Sequence, residues 1–144
     1  MLVFDEVSSG WRLTNGGAHL LYKVKPDIAV FAKGMSNGYP MAAIIGNSRV
    51  MQAAQDTFIS STIWTERIGP TAALATIRKY RSVDAASHMN RAGKSIQVGW
   101  RTMAERHKLK LVISGIPALS HFSFDYVNGQ AMRTLFTQEM LKRG

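Results

Sequence analysis

Two short apolar runs, each broken off by a charge, constrain this chain more than any other feature. Met1-Leu2-Val3-Phe4 stops at Asp5-Glu6, and Ile28-Ala29-Val30-Phe31-Ala32 stops at Lys33, followed by Gly34-Met35-Ser36-Asn37-Gly38-Tyr39-Pro40. Short apolar runs bounded by turn residues read as strands of a parallel sheet, buried on both faces. Ligands in open sheets of that kind bind beyond the carboxyl ends of the strands, where Asp5 and Lys33 fall. A lysine at the end of a buried strand borders low-dielectric surroundings, which disfavour the ammonium. Its free amine is a nucleophile able to form a Schiff base with a carbonyl.

The rest of the chain supplies a frame for those strand ends. Asn15-Gly16-Gly17 marks a turn, residues 18–22 a short helical piece ended by Lys25-Pro26, and residues 41–45 a third strand closed by Gly46. Residues 50–54 read as helical and 57–62 as extended, and Pro70 sits where proline is favoured in the first turn of an alanine-rich helix. Ala85, Met89, Ala92, Ile96, Trp100, Met103 and His107 recur at three and four residues, which predicts an amphipathic helix packed on a sheet. Its Met and Trp stripe reads as core. Residues 109–113 and 119–124 read as strands around Gly115-Ile116-Pro117, and 132–141 as a last helix.

The strand and helix alternation of the first half thus gives way to a helix, two strands and a helix. A domain change is expected around residues 82–84, giving domains 1–82 and 83–144. Parallel strands also need neighbours on both sides and covering helices. The chain has too little sequence to supply them, so a fragment of a longer protein is expected.

Composition narrows the chemistry. The chain has no cysteine, which rules out disulfides and thiolate metal sites, and His19, His88, His107 and His121 lack ligand spacing, so no metal is expected. No apolar run approaches the ~20 residues of a membrane span, and no basic region with a cleavage site opens the chain, which points to the cytoplasm. The 18 Lys and Arg against 9 Asp and Glu give +9, a charge that would favour polyanions. The basic residues gather in Arg78-Lys79-Tyr80-Arg81 and in 101–110, which read as helix ends and solvated faces and argue against a nucleic-acid stripe.

An apolar run ending in Asp-Glu can belong to a nucleotide hydrolase, but that requires a phosphate loop of the form G-x-x-x-x-G-K-[ST]. The nearest candidate, His88-Met89-Asn90-Arg91-Ala92-Gly93-Lys94-Ser95, lacks the first glycine and falls within the amphipathic helix. The other reading joins Asp5 to Lys33 across neighbouring strand ends. A carboxylate and a Schiff-base lysine on one sheet edge suit pyridoxal 5'-phosphate: the aspartate keeps the pyridine nitrogen protonated and the lysine holds the aldehyde carbon. The freed amine can then carry a proton to or from the substrate carbon.

These residues also carry a family resemblance. Leu2-Val3-Phe4-Asp5-Glu6-Val7 with Gly10 and Arg12, Pro26-Asp27-Ile28, Ala32-Lys33-Gly34 and Asn37-Gly38-Tyr39-Pro40 together resemble the signature of class III pyridoxal-phosphate-dependent aminotransferases, and within them the glutamate-1-semialdehyde 2,1-aminomutase-like branch. The resemblance implies an α/β fold: part of a fold-type I transferase, with a mostly parallel sheet and helices, plus the beginning of an α+β small C-terminal domain. It implies a transaminase, or an isomerase moving the amino group within one substrate, acting on a small-molecule amino donor and carbonyl acceptor as a homodimer. Lys33 would be the Schiff-base lysine, Asp5 the partner of the pyridinium nitrogen, and Val7 the packing against the ring. Ser60-Ser61-Thr62-Ile63-Trp64 matches the segment whose threonine reaches the phosphate of the cofactor held mainly by the other subunit, which singles out Thr62.

The chain departs from the pattern after that threonine, where Trp64-Thr65-Glu66-Arg67 replaces a glycine-rich turn such as Gly-Asn-Pro. The family's phosphate loop and ring-stacking aromatic precede the position of Met1, so the isolated chain is expected to bind cofactor poorly and turn over little. Glu6 and Arg12 read as structural, with Arg12 near enough in sequence to supply a donor for a buried Glu6, and Tyr39 as a candidate pocket wall. Two competing readings are a basic module binding nucleic acid or a partner protein, and an inactive remnant that pairs with another chain.

Overall fold

The computed structural model describes residues 1–62 and 65–144, so Ile63 and Trp64 of the threonine-containing segment lie outside the described residues. The chain divides into two compact units, Met1–Met89 and Asn90–Gly144.

In the first unit, strands β1 (Val3–Asp5), β2 (Ile28–Phe31) and β3 (Ala43–Gly46) form one sheet in the order β1-β2-β3. β1 and β2 are parallel, with Val3 opposite Ile28 and Asp5 opposite Val30. The two charge-terminated runs therefore end at the same edge. β3 runs the other way, with Phe31 opposite Ala43 and Ile28 opposite Gly46, so the third strand does not extend the parallel set that the sequence argument supposed. The reason is local. Asn37 and Gly38 both have positive φ, 51° and 102°, the requirement of a type I′ turn, and Tyr39 N–H closes it onto Ser36 C=O at 3.3 Å. That turn sends the chain back beside β2 without the long crossover that a parallel neighbour needs.

The opposite end of the sheet is tied down by Asp27. Its carboxylate accepts from Leu2 N–H at 2.7 Å and from Asn47 Nδ2 at 2.8 Å. Asn47 in turn caps helix α1 (Ser48–Gln52) by accepting from Val50 N–H at 3.0 Å. These bonds hold the Asp27 carboxyl below its usual range, with the Leu2 amide the largest cause.

One face of the sheet is closed. Ala29 and Phe31 are buried with Met35 and with Ala73 of helix α2 (Ile68–Ser82), and Phe4, Trp11, Met41, Ala43 and Ile77 pack around them. Ile44, Ile45 and Phe58 are exposed, Phe58 at 97 %. Thr57 is extended, but residues 57–62, expected to be extended, form no strand among the described residues. The expectation of strands buried on both faces is thus met on one face of this chain.

Helix α2 begins where the sequence departs from the aminotransferase-like pattern. Glu66 accepts from Ile68 N–H and, at 3.0 Å, from Gly69 N–H, which satisfies two of the helix's unpaired donors. Gly69 lets the helix approach the connection between β2 and β3: a Cβ there would stand 2.9 Å from Pro40 O. The bulkier, charged turn is therefore an alternative cap.

In the second unit, helix α3 (Ala85–Arg106, starting before the boundary) precedes strands β4 (Leu111–Ser114) and β5 (His121–Phe124) and helix α4 (Gly129–Arg143). β4 and β5 form an antiparallel pair with Ser114 opposite His121. Trp100 meets Phe122 edge-on with 5.1 Å between ring centres, and Phe136 of α4 meets Phe122 at 5.5 Å, so Trp100 of the stripe is packed. Ala92, Ile96, Met103 and His107 are exposed, so the expected core stripe is met only in part. The phosphate-loop-like stretch 88–95 is helix interior. Gly93 there serves packing, since a Cβ would lie 1.9 Å from Pro117 O.

Candidate active site

The site is assembled from two turns, one after β1 and one after β2. After β1 the chain turns back at once. Val7 N–H donates to Asp5 Oδ1 at 3.0 Å and Gly10 N–H to Glu6 C=O at 2.9 Å. The first bond orients the Asp5 carboxylate at the strand tip. Gly10 is required by close approach: an added Cβ would stand 2.7 Å from Glu6 O and 2.9 Å from the Phe31 ring. The turn is thus pressed onto β2.

After β2 the chain reaches Lys33, whose backbone takes φ 48°, in the left-handed region that costs a residue with a Cβ about 1–2 kcal/mol. Strain of this kind persists only where surrounding structure holds it, and it concentrates at functional sites. Here Lys33 opens a 3-10 turn (Lys33–Met35) whose Met35 is anchored in the core. The buried Met35 and the hydrogen-bonded β2 fix the backbone from both sides. The Lys33 Nζ donates a hydrogen bond to Ser8 Oγ, in the turn after β1. The amine and the carboxylate turn therefore meet at one sheet edge.

Asp5 and Lys33 are both exposed in this chain, and Val7 is half-buried. The enclosed lysine and buried carboxylate assumed from the sequence are not found, because no element among the described residues covers that edge. The buried acid is instead Glu6, 1 % exposed. Its partner is not Arg12, as the sequence suggested. Glu6 accepts from Ser9 Oγ at 2.6 Å and from His19 N–H at 3.1 Å, and His19 Nδ1 lies 3.1 Å away. Burial pushes the Glu6 carboxyl up, but the hydrogen bonds from Ser9, Ala18 and His19 outweigh it, and the net displacement is downward. His19 was missed as a partner because thirteen residues separate it from Glu6. The only sequence signal was the Asn15-Gly16-Gly17 turn that brings it back.

Arg12 lies beside the lysine loop. Its Nη1 approaches Met89 Sδ at 3.8 Å, and its Nη2 is 3.8 Å from where a Gly34 Cβ would be. Thr62 is exposed in a turn, and among the described residues no hydrogen bond joins it to the Lys33 loop. Tyr39 is exposed beside the start of α2 rather than at the lysine. Among the described residues no group of His, Asp and Glu could hold a metal ion.

An amine with a hydroxyl partner, a carboxylate held by a backbone N–H and a half-buried valine, all on one edge, match the donor set for a pyridine aldehyde: a nucleophile for the aldehyde, an anion for the ring nitrogen and an apolar contact for the ring. No phosphate cradle accompanies them at this edge among the described residues.

Comparison with known proteins found these likenesses. The sequence profile of "Aminotransferase class-III" matches residues 1–144. A 3-aminobutyryl-CoA aminotransferase of Cloacimonas acidaminovorans is 32% identical over 125 residues, covering 86% of this chain and 30% of the relative. A glutamate-1-semialdehyde 2,1-aminomutase of Clostridium kluyveri is 30% identical over 159 residues, covering 100% of this chain and 38% of the relative. Among solved structures, the PLP internal aldimine form of the FumI protein of Sphingopyxis sp. MTA144 superposes with TM-score 0.82 at 25% identity, over 88% of this chain and 30% of that one. The chain thus spans about a third of the length of these proteins.

Proposed function

Because the chain belongs to the class III aminotransferase family, we propose that it is the lysine-bearing part of a pyridoxal-phosphate-dependent aminotransferase or aminomutase. The whole protein would move an amino group from a small-molecule amine or amino acid to a carbonyl, or within one substrate. The observation that carries this reading is the Lys33 Nζ to Ser8 Oγ bond, which joins the tips of two parallel strands where a carboxylate also sits.

When bound, pyridoxal phosphate supplies an aldehyde to the lysine and a ring that takes up the electron pair released at the amino-bearing carbon. Lys33 is the covalent attachment point and, once released, the base that moves a proton at that carbon. Asp5 keeps the ring nitrogen protonated, and Val7 packs against the ring face. Ser8 holds the lysine Nζ in place between these roles. Thr62 serves the phosphate of the cofactor held mainly by a second subunit, in a homodimer. We read residues 1–82 as the end of the large cofactor-binding domain and 83–144 as the beginning of the small one, in a cytoplasmic enzyme. Among the described residues no helix is long and apolar enough to cross a membrane. The basic binding module gains no support from the family match.

The test is to incubate the chain with pyridoxal phosphate, reduce with borohydride and map the retained pyridoxyl mass by peptide. Label concentrated on Lys33 and lost in Lys33→Ala supports the assignment. Label spread over the surface lysines at equal yield overturns it.

A further inference from the structure

Strand β4, in the second unit, carries an open edge. Asp125 N–H donates to Lys110 C=O at 2.9 Å, and in the same register Val112 stands opposite Ser123 and Ser114 opposite His121. Hydrogen-bonded and non-bonded pairs alternate along an antiparallel ladder. Lys110, Val112 and Ser114 therefore turn their backbone groups toward β5, and Leu111 and Ile113 turn theirs away from it. Among the described residues the outward N–H groups of Leu111 and Ile113 have no hydrogen-bond partner. Unpaired amides along a strand edge are a template for one more strand.

A cavity of about 350 Å³ opens at that edge. Leu111 and Ile113 line it from β4, and Arg101 and Glu105 of α3, with Lys108 of the turn that follows, line it from the helix side. Leu111 and Ile113 are half-buried and share one face of the strand, which gives an added strand an apolar surface to lie against.

The charge around the cavity decides what kind of strand fits. Arg101, Lys108 and Lys110 line it against a single carboxylate, that of Glu105. All four are exposed, and among the described residues none of them belongs to an ion pair. A second copy pairing β4 with β4 would set these cations against their counterparts, which disfavours it. The same cations favour carboxylates.

We propose that β4 accepts an extended acidic segment of a partner polypeptide as an added strand. Its backbone pairs with Leu111 and Ile113, its apolar residues lie against their side chains, and its carboxylates stand beside Arg101, Lys108 and Lys110. Main-chain pairing supplies affinity and the charges supply the choice of partner. The assignment does not rest on the role of Lys33.

The experiment titrates the 144-residue chain with a capped peptide of alternating glutamate and valine at low ionic strength and follows amide hydrogen exchange residue by residue. The expected result is a saturable slowing at Leu111 and Ile113. Ile113→Pro removes an outward donor and no bond to β5, and should weaken binding about tenfold. Lys108→Glu combined with Lys110→Glu leaves the edge amides intact and should weaken it by about as much. No slowing, equal slowing by a peptide of alternating lysine and valine, or binding indifferent to the double charge reversal overturns the proposal. Protection of Leu111 and Ile113 that grows with protein concentration in the absence of peptide makes a second copy the occupant, and overturns it as well.

Discussion

Lys33 Nζ donates a hydrogen bond to Ser8 Oγ across 25 residues of sequence, from the turn after one strand to the turn after its parallel neighbour. The lysine reaches that hydroxyl from a left-handed backbone, so the geometry of its amine depends on a conformation its own Cβ disfavours. Under the role proposed for Lys33, function and stability pull in opposite directions at this residue.

Replacing Lys33 separates the two. Lys33→Gly should be more stable than Lys33→Ala by about 1 kcal/mol, because glycine accepts positive φ and alanine does not. Thermal melts of the two variants measure the difference. Equal melting temperatures would mean that the left-handed backbone relaxes on substitution.

Glu6 should make stability depend on acid. Its carboxyl is displaced downward in the folded chain from the ordinary 4.5, so its contribution is fully present above about pH 4.5 and is lost as pH falls through the lower folded value. Glu6→Gln keeps the shape and removes that dependence. Urea melts between about pH 3 and pH 6 should show a shallower decline for the variant than for the parent. Parallel curves would contradict the displacement.

Gly10 and Gly93, one in each unit, are among the glycines that hold close approaches. Gly10→Ala puts a Cβ against Glu6 O and the Phe31 ring, and Gly93→Ala puts one 1.9 Å from Pro117 O. Each should lower stability by about 1–3 kcal/mol, Gly93→Ala more, because its clash with backbone is closer, 1.9 Å against 2.7 Å at Gly10. Gly99→Ala, with nothing within 4 Å of its Cβ, is the control and should be neutral or stabilising. Circular dichroism melts read all three.

Glu66 should matter as a cap. Glu66→Ala leaves Ile68 and Gly69 N–H without their side-chain acceptor and should cost about 0.5–2 kcal/mol. Hydrogen exchange should quicken at the first turn of α2 and remain unchanged at its last turn. Uniform loss of protection along the helix would assign Glu66 a different role.

Much of the fold was legible in the sequence, because helices and strands depend on neighbours a few residues apart. The period from Ala85 to His107 foretold α3, and the two charge-terminated runs foretold β1 and β2 with Asp5 and Lys33 at their tips. The direction of β3 was legible too. Asn37-Gly38 between two apolar runs is a hairpin signal, outweighed by the expectation of a parallel sheet.

The sequence alone determined the type and order of most elements and that an amine and a carboxylate end adjacent strands, since period and charge are written locally. Only the tertiary structure decided that Glu6 pairs with His19 rather than Arg12 and that Lys33 extends to Ser8 from a left-handed backbone. The physical reason is range: a hydrogen bond between residues far apart in the chain depends on how elements dock, and no window of sequence contains both partners.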